Sequence, residues 1–297
     1  MDVFFSAVLP TTIVFLIGYV LQRIRFLDVK SISTMAIYIF LPALVFKNLY
    51  ESTFDQQFMT LFLFALFLLI VLITLNKILA TLFGWSKATE SASMLASVFM
   101  NAGNYGAPII YFGLGEEAFP YAIFFMVVQS LLMNSFGVYY ASRGKRSIGQ
   151  AVLTIFKMPA TYAAIFAFLF QKGQIELSDT TYSMISLLAD GSIPVMMVVL
   201  GMQLASIKGL EMNWQVVSTS VLLKMIVSPT LAFLFVHIFS VEPLLGSVMI
   251  IISAMPTAVT TTLFAVEFDA EPNLVSTITL ITTIMSVVTL TVLLNLL

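Results

Sequence analysis

The sequence predicts an all-α polytopic membrane protein of ten transmembrane helices, built as two inverted five-helix repeats with broken crossing helices at spans four and nine. Three observations lead there: a composition too apolar for a water-facing domain, ten successive apolar runs of membrane-crossing length, and proline landmarks that recur at a near-constant offset between the two halves.

Of 297 residues, 60% are hydrophobic and 9% charged, and the mean hydropathy is +1.04. A water-soluble domain carries roughly 25% charged residues, because something must face water. This chain therefore faces lipid. It has no cysteine and a single histidine, His237, which removes disulfides, thiolate sites and multi-histidine metal clusters. No metal and no cofactor is expected. A formal net charge of −2 supplies no basic surface, so nucleic acid is not expected as a partner. The opening MDVFFSAVLPTTIVFLIGYVLQ lacks a basic start and is long enough to span, which reads as a retained helix rather than a cleaved signal.

Runs of about 20 apolar residues cover Val3 to Gln22, Ser31 to Leu49, Phe58 to Phe83, Ala88 to Leu114, Phe119 to Ser142, Gln150 to Phe170, Ser183 to Ile207, Asn213 to Ile238, Leu245 to Phe268 and Pro272 to Leu297. Loops after odd-numbered spans hold Arg23, Arg25, Lys30, Lys87, Arg143, Lys145, Arg146 and Lys208, against Lys172 after the even-numbered ones. By the positive-inside rule the odd loops face the cytoplasm. Both termini are then outside, in a multi-pass protein of the plasma membrane, the inner membrane of a bacterium.

The halves, residues 1–142 and 143–297, share landmarks. Pro10 and Pro159 lie 149 residues apart, as do Gln22 and Gln171; Pro42 precedes Pro194 by 152 and Pro108 precedes Pro256 by 148. Five spans is an odd number, so the second half must lie upside down relative to the first. Interrupted segments at matching positions of two such halves are the best pointer in a sequence to a transport site.

The matched interruptions are FMNAGNYGAPII, from Phe99 to Ile110, and ISAMPTAVTTTLFAVEF around Pro256. Proline removes a backbone hydrogen bond and glycine lowers the cost of unwinding. Unwound backbone at membrane depth persists only where protein buries it or where it lines a wet cavity. Pro108, after Gly103 and Gly106, suits the first turn of a second half-helix, whose free N–H groups and positive dipole end favour an anion. Pro256, followed by Thr257 and Thr260, is expected to do the same from the opposite direction. Asn101 and Asn104 add amide groups, and Tyr105 a ring and a hydroxyl. Asn101 lies about 13 residues into its span, roughly 20 Å of helix, which is mid-membrane.

These residues resemble the auxin efflux carrier family, which includes plant PIN-type carriers and bacterial carboxylate permeases. The similarity rests on SAMPTAVTTTLFAVEFDAEPNLVSTITL in spans nine and ten, on Asn101 and the GAP of Gly106 to Pro108 in span four, on LADG at Leu188 to Gly191 and on PATY at Pro159 to Tyr162. The resemblance implies a scaffold part, a moving part holding the crossed helices, elevator-type alternating access, and Asn101 at the carboxylate of an organic anion. The long hydrophilic loop of the plant carriers shrinks here to SRGKRSIGQ. The extra proline before the plant asparagine is Met100 in this chain. Both departures favour a bacterial-type permease.

Ionisable groups inside spans are functional candidates by default. Asp190 reads either as a carrier of a coupling proton or cation, or as a solvated interfacial acid. Lys224, too deep to snorkel, reads either as the partner of a buried acid such as Asp190 or as positive potential along an anion path. Gln129, Asn134 and Gln203 are weaker pocket candidates. One aspartate without a second, and a histidine at a span end, do not make a protease, so no catalytic residue is expected. The expectation is a secondary carrier of a small organic anion, a mono- or dicarboxylate, coupled to H+ or Na+ or to neither, with a homodimer compatible. The alternative is a channel-like or signalling membrane protein without carrier activity.

Overall fold

The computed structural model describes residues 4–142, 158–207 and 210–297. Among them the regular structure is helical, apart from one isolated antiparallel bridge between Met100 and Thr257. The helices are α1 (Leu9–Arg25, entered through a π turn Phe4–Val8), α2 (Val29–Glu51), α3 (Gln56–Leu82), α4 (Lys87–Val98), α5 (Ala107–Leu114, entered through a π turn Ala102–Gly106), α6 (Phe119–Ala141), α7 (Pro159–Lys172), α8 (Asp179–Ala205), α9 (Trp214–Ile238), α10 (Pro243–Ser253), α11 (Thr260–Phe268) and α12 (Pro272–Leu296).

Local chemistry fixes where these helices begin. Asp28, Asp55, Ser86, Ser178, Asn213 and Glu242 each turn a side-chain oxygen back onto the first free N–H groups of α2, α3, α4, α8, α9 and α10, the usual satisfaction of donors that have no helical acceptor. Proline opens α7, α10 and α12, where its missing N–H costs nothing. Asp28 also accepts from the Ser31 hydroxyl, which holds its carboxyl below the usual carboxylate range.

Six of the helices, α2, α3, α6, α8, α9 and α12, are long and apolar enough to cross a membrane. Spans four and nine of the sequence reading are divided, into α4 and α5 and into α10 and α11. The basic residues Arg143, Lys145, Arg146 and Lys208, the beginning of the run from Gln150 and residue Val3 lie outside the described residues.

Packing gathers the helices mainly into two groups, with α6 touching both α2 and α3. In one, α1 lies along α8, and α2 lies against α7 and α8. In the other, α3 packs on α4, α6 and α9, while α12 packs on α4, α9 and α11. The first group is seamed by glycine. A Cβ added at Gly18 of α1 would meet the Val198 carbonyl oxygen at 2.1 Å, and one at Gly201 of α8 would meet the Phe15 carbonyl oxygen at 1.9 Å. Only glycine allows two helices to approach this closely.

Candidate functional site at the helix crossing

Helix α4 stops at Val98 and α10 at Ser253. The chain that follows each is unwound, and the two unwound pieces meet as an antiparallel pair. The Asn101 amide donates to the Pro256 carbonyl (2.8 Å) and the Ala258 amide donates to the Phe99 carbonyl (3.1 Å). Each break therefore satisfies the other's backbone, the requirement for irregular chain at membrane depth. Thr257, fully buried, ties the pair to its surroundings. Its hydroxyl donates to the Ala96 carbonyl in the last turn of α4, and its amide donates to Thr282 Oγ1 of α12 at 3.2 Å.

The C-terminal ends of both half-helices are capped from a single helix. Lys224 of α9 points its ammonium at the Ser97 carbonyl (3.4 Å), and Ser228, four residues on, donates to the Ser253 carbonyl (2.8 Å). Lys224 has no exposed surface. A buried layer of hydroxyls and one amide surrounds the same end of α4: Ser93 Oγ donates to Asn76 Oδ1, Asn76 Nδ2 donates to Ser97 Oγ, and Ser93 and Ser220 share a hydrogen bond of 2.9 Å.

On the other side of the breaks, the half-helix that leads into α5 begins at Ala102, with Asn101 as its capping residue. The first bond of this helix is a wide one, from the Gly106 amide to the Asn101 carbonyl (2.9 Å). The N–H groups of Gly103, Asn104 and Tyr105 precede it and have no acceptor within the helix. Asn101 as a whole is 7% exposed, and its side chain makes no capping bond. It faces a cavity of about 380 Å³.

Three π turns contribute to the cavity wall: Ala36–Phe40 in α2, Ala102–Gly106 before α5 and Met133–Gly137 in α6. Such one-turn widenings recur at functional sites because they swing side chains and backbone groups off the regular helical positions. Met158, Pro159 to Thr161 at the start of α7, and Met196, Val199 and Gln203 of α8 line the cavity as well. A second cavity, of about 850 Å³, is lined by Lys47, Glu51, Glu116, Glu117 and Asp190 among others, and shares no lining residue with the first.

Of the residues singled out in the sequence, Asn101, Asn104 and Thr260 line the smaller cavity, joined by Gln129, Asn134 and Gln203. The others brace the crossing. Tyr105 does not offer its ring and hydroxyl to the cavity: its ring packs on Phe15 at 4.9 Å and its hydroxyl accepts from Ser286 at 3.0 Å. Gly106 sits where a Cβ would be 3.3 Å from both the Asn101 carbonyl oxygen and Met255 Cγ, so its absent side chain lets α5 pass the second break. Pro108 stands in the first turn of α5, where the sequence put it, and a π turn from Ala102 to Gly106 precedes that helix. Pro256 is inside the break rather than at a helix start; α11 begins at Thr260, and Pro256 serves as the carbonyl acceptor for Asn101.

The pairing of Lys224 with Asp190 is not found. Asp190 bonds Lys47 at 2.8 Å and its side chain is 69% exposed in the larger cavity, while Lys224 meets the end of α4. Sequence reading also passed over the π turns, for which the text gives no signal. It missed the bracing pair Thr282 and Ser286 of α12 as well, whose four-residue spacing of hydroxyls was legible.

Residues 3–150 and 144–294 match the family described as membrane transport protein. The chain is similar to an uncharacterized transporter of Methanothermobacter thermautotrophicus, 24% identical over 280 residues that cover 88% of each chain. It is also similar to an uncharacterized transporter of Methanocaldococcus jannaschii, 24% identical over 272 residues and 86% of each. Together with apolar helices of membrane-crossing length, these matches make it a multi-pass membrane transporter and not an enzyme. The chain belongs to the membrane transport protein family, in agreement with the auxin efflux carrier resemblance of its motifs.

Proposed function

We propose that the protein is a secondary carrier of a small organic anion, a carboxylate, held between the Asn101 carboxamide and the open N–H groups that start the half-helix at Ala102. The observation that carries this reading is the state of Asn101: nine-tenths buried, at the cavity wall, and without a capping bond. An amide that lines the cavity and caps no helix is placed to meet a ligand's oxygen, and the adjoining helix start favours negative charge.

Elevator-type alternating access is supported by the division of the cavities. On α2 the larger cavity takes Leu44 to Glu51 and the smaller takes Ser33 to Leu41; on α8 the larger takes Ala189 to Pro194 and the smaller Met196 to Gln203. The two thus approach the crossing from opposite ends of the same helices. The two packing groups supply a body to stay and a body to move. The crossed breaks suit two inverted five-helix repeats, residues 1–142 and 143–297, in a ten-helix plan. By the positive-inside rule the smaller cavity opens to the cytoplasm and both termini are outside, in the plasma membrane. Coupling to H+ or Na+, and pairing into a homodimer, complete the proposal.

The test is flux into proteoliposomes containing the purified protein. Saturable carboxylate uptake that is accelerated by the same acid inside the vesicle marks a carrier. Uptake that rises linearly without such acceleration marks a channel and ends this reading.

A further inference from the structure

We infer that Lys224 is where the carrier takes up a proton with each anion, an assignment that rests on the carrier reading above and names its coupling ion. The amine is protonated when a carboxylate arrives at Asn101 and returns the proton to water after the carboxylate leaves. Lys224 is fully buried, and its hydrogen bond runs to the Ser97 carbonyl at 3.4 Å. It stands in a further π turn, Leu223–Val227 of α9, a local widening of the kind that recurs at functional sites.

No fixed carboxylate holds this amine in its charged state. The helices packed on α9 are α3, α4, α10 and α12, and the titratable groups along them and at their ends are all engaged elsewhere or terminal. Lys87 pairs with Glu90 at 3.2 Å, Lys77 lies over the Tyr140 ring, Asp55 and Glu242 cap α3 and α10, Glu271 accepts from Thr89 at 2.8 Å, and His237 is in the last turn of α9. The segments outside the described residues add one acid to the chain, Asp2. Both states of the amine suit the place. Neutral, it still donates an N–H to the Ser97 carbonyl; charged, it meets the negative ends of the dipoles of α4 and α10. Only the charged state gains from an anion nearby.

Four residues of chain separate Ser97 from Asn101, a span of at most about 14 Å. Opposite charges about that far apart, at an effective dielectric of about 20, attract enough to move a binding equilibrium by roughly tenfold. Linkage is reciprocal, so the proton tightens the anion by the same factor. The two load together and leave together. Hydroxyls mark a route for the proton: Ser97, Ser93 and Thr89 follow at four-residue spacing along α4 from Lys224 to Glu271, with Asn76 bonded to both serines at 2.8 Å.

The test uses proteoliposomes of the full-length protein, with voltage clamped by potassium and valinomycin and the flux of protein-free vesicles subtracted. Labelled malate, lactate and phenylacetate are the probes. Exchange at equal pH tests the carrier; an external acid step tests the coupling. A step of one pH unit is expected to speed net uptake of an exchanging acid at least fivefold. At equal pH, the same acid added outside is expected to acidify the lumen, read by a trapped indicator. Lys224→Arg keeps a donor that does not give up its proton, and Lys224→Met removes the donor; either variant, where it still exchanges, is expected to lose the acid-step acceleration. Wild-type exchange with neither acceleration nor acidification would overturn the inference and leave the carrier standing, and so would acceleration retained by an exchanging variant. No exchange of any of the three acids by the wild type would overturn both.

Discussion

The ammonium of Lys224 lies 3.4 Å from the carbonyl oxygen of Ser97, in the last turn of half-helix α4. A helix that ends inside a membrane leaves its last carbonyls without water and concentrates the negative end of its dipole there. Lys224 offers those carbonyls a donor, which explains a buried lysine that has no ion-pair partner among the described residues. Lys224→Met keeps about the length of the side chain and removes the amine donor. Its uptake is expected to fall at least tenfold, with a lower melting temperature, because the end of α4 fixes the position of Asn101. Lys224→Arg should recover part of both. Ser228→Ala, which loses a neutral cap on α10, should cost about 1 kcal/mol. Wild-type uptake by Lys224→Met would refute the capping role.

Asn101→Ala separates function from stability. The side chain makes no capping bond, so its removal should change thermal stability by less than about 0.5 kcal/mol, the range of substitutions that break no structural contact. Uptake should drop by at least tenfold. Asn101→Asp should abolish transport as well, since it sets a negative charge where the anion must sit. Measured together, melting temperature and initial uptake rate give the contrast; near-normal uptake by Asn101→Ala would move the site elsewhere.

The parts of this site that were legible in the sequence are those that break a rule. Proline, glycine and asparagine in an apolar run mark unwound chain whatever packs around it, which is why Asn101, Asn104 and the pair Pro108 and Pro256 could be found from text. Tyr105 was misplaced for the opposite reason. In a segment apolar on every side, periodicity does not tell which face meets a cavity, and the ring that could have lined it packs on Phe15 instead. Lys224 was read as too deep to snorkel, and it is fully buried, but its partner is a backbone carbonyl. Helix ends carry charge that no side-chain inventory records.

Asp190 and Lys47 form a 2.8 Å ion pair, with side chains 69% and 22% exposed, between α8 and α2 in the larger cavity. The Tyr182 hydroxyl bonds Glu51 between the same two helices. Exposed pairs of this kind contribute about 0–1 kcal/mol, and an acid this open to water does not need to exchange a coupling ion with a closed site. Asp190→Asn should therefore keep uptake within twofold and leave its dependence on pH and sodium unchanged. Loss of either dependence in this variant would return Asp190 to a coupling role. The exchange Lys47→Asp with Asp190→Lys should restore whatever small stability the single changes remove.

Gly18 and Gly201 form a reciprocal contact: each would drive a new methyl into a carbonyl of the facing helix, at Val198 and Phe15, and each lies three residues from that facing carbonyl's counterpart on its own chain. Gly18→Ala or Gly201→Ala must push α1 and α8 apart, and overpacking of this kind costs about 1–3 kcal/mol. The displacement does not stay local, because α8 carries Met196, Val199 and Gln203 in the cavity wall. Substrate affinity should fall along with the melting temperature. Once one alanine has separated the helices, the second finds room already made, so the double variant should lose less stability than the sum of the two singles. Additive losses would mean that the two glycines act at independent contacts and that α1 and α8 do not move as one seam.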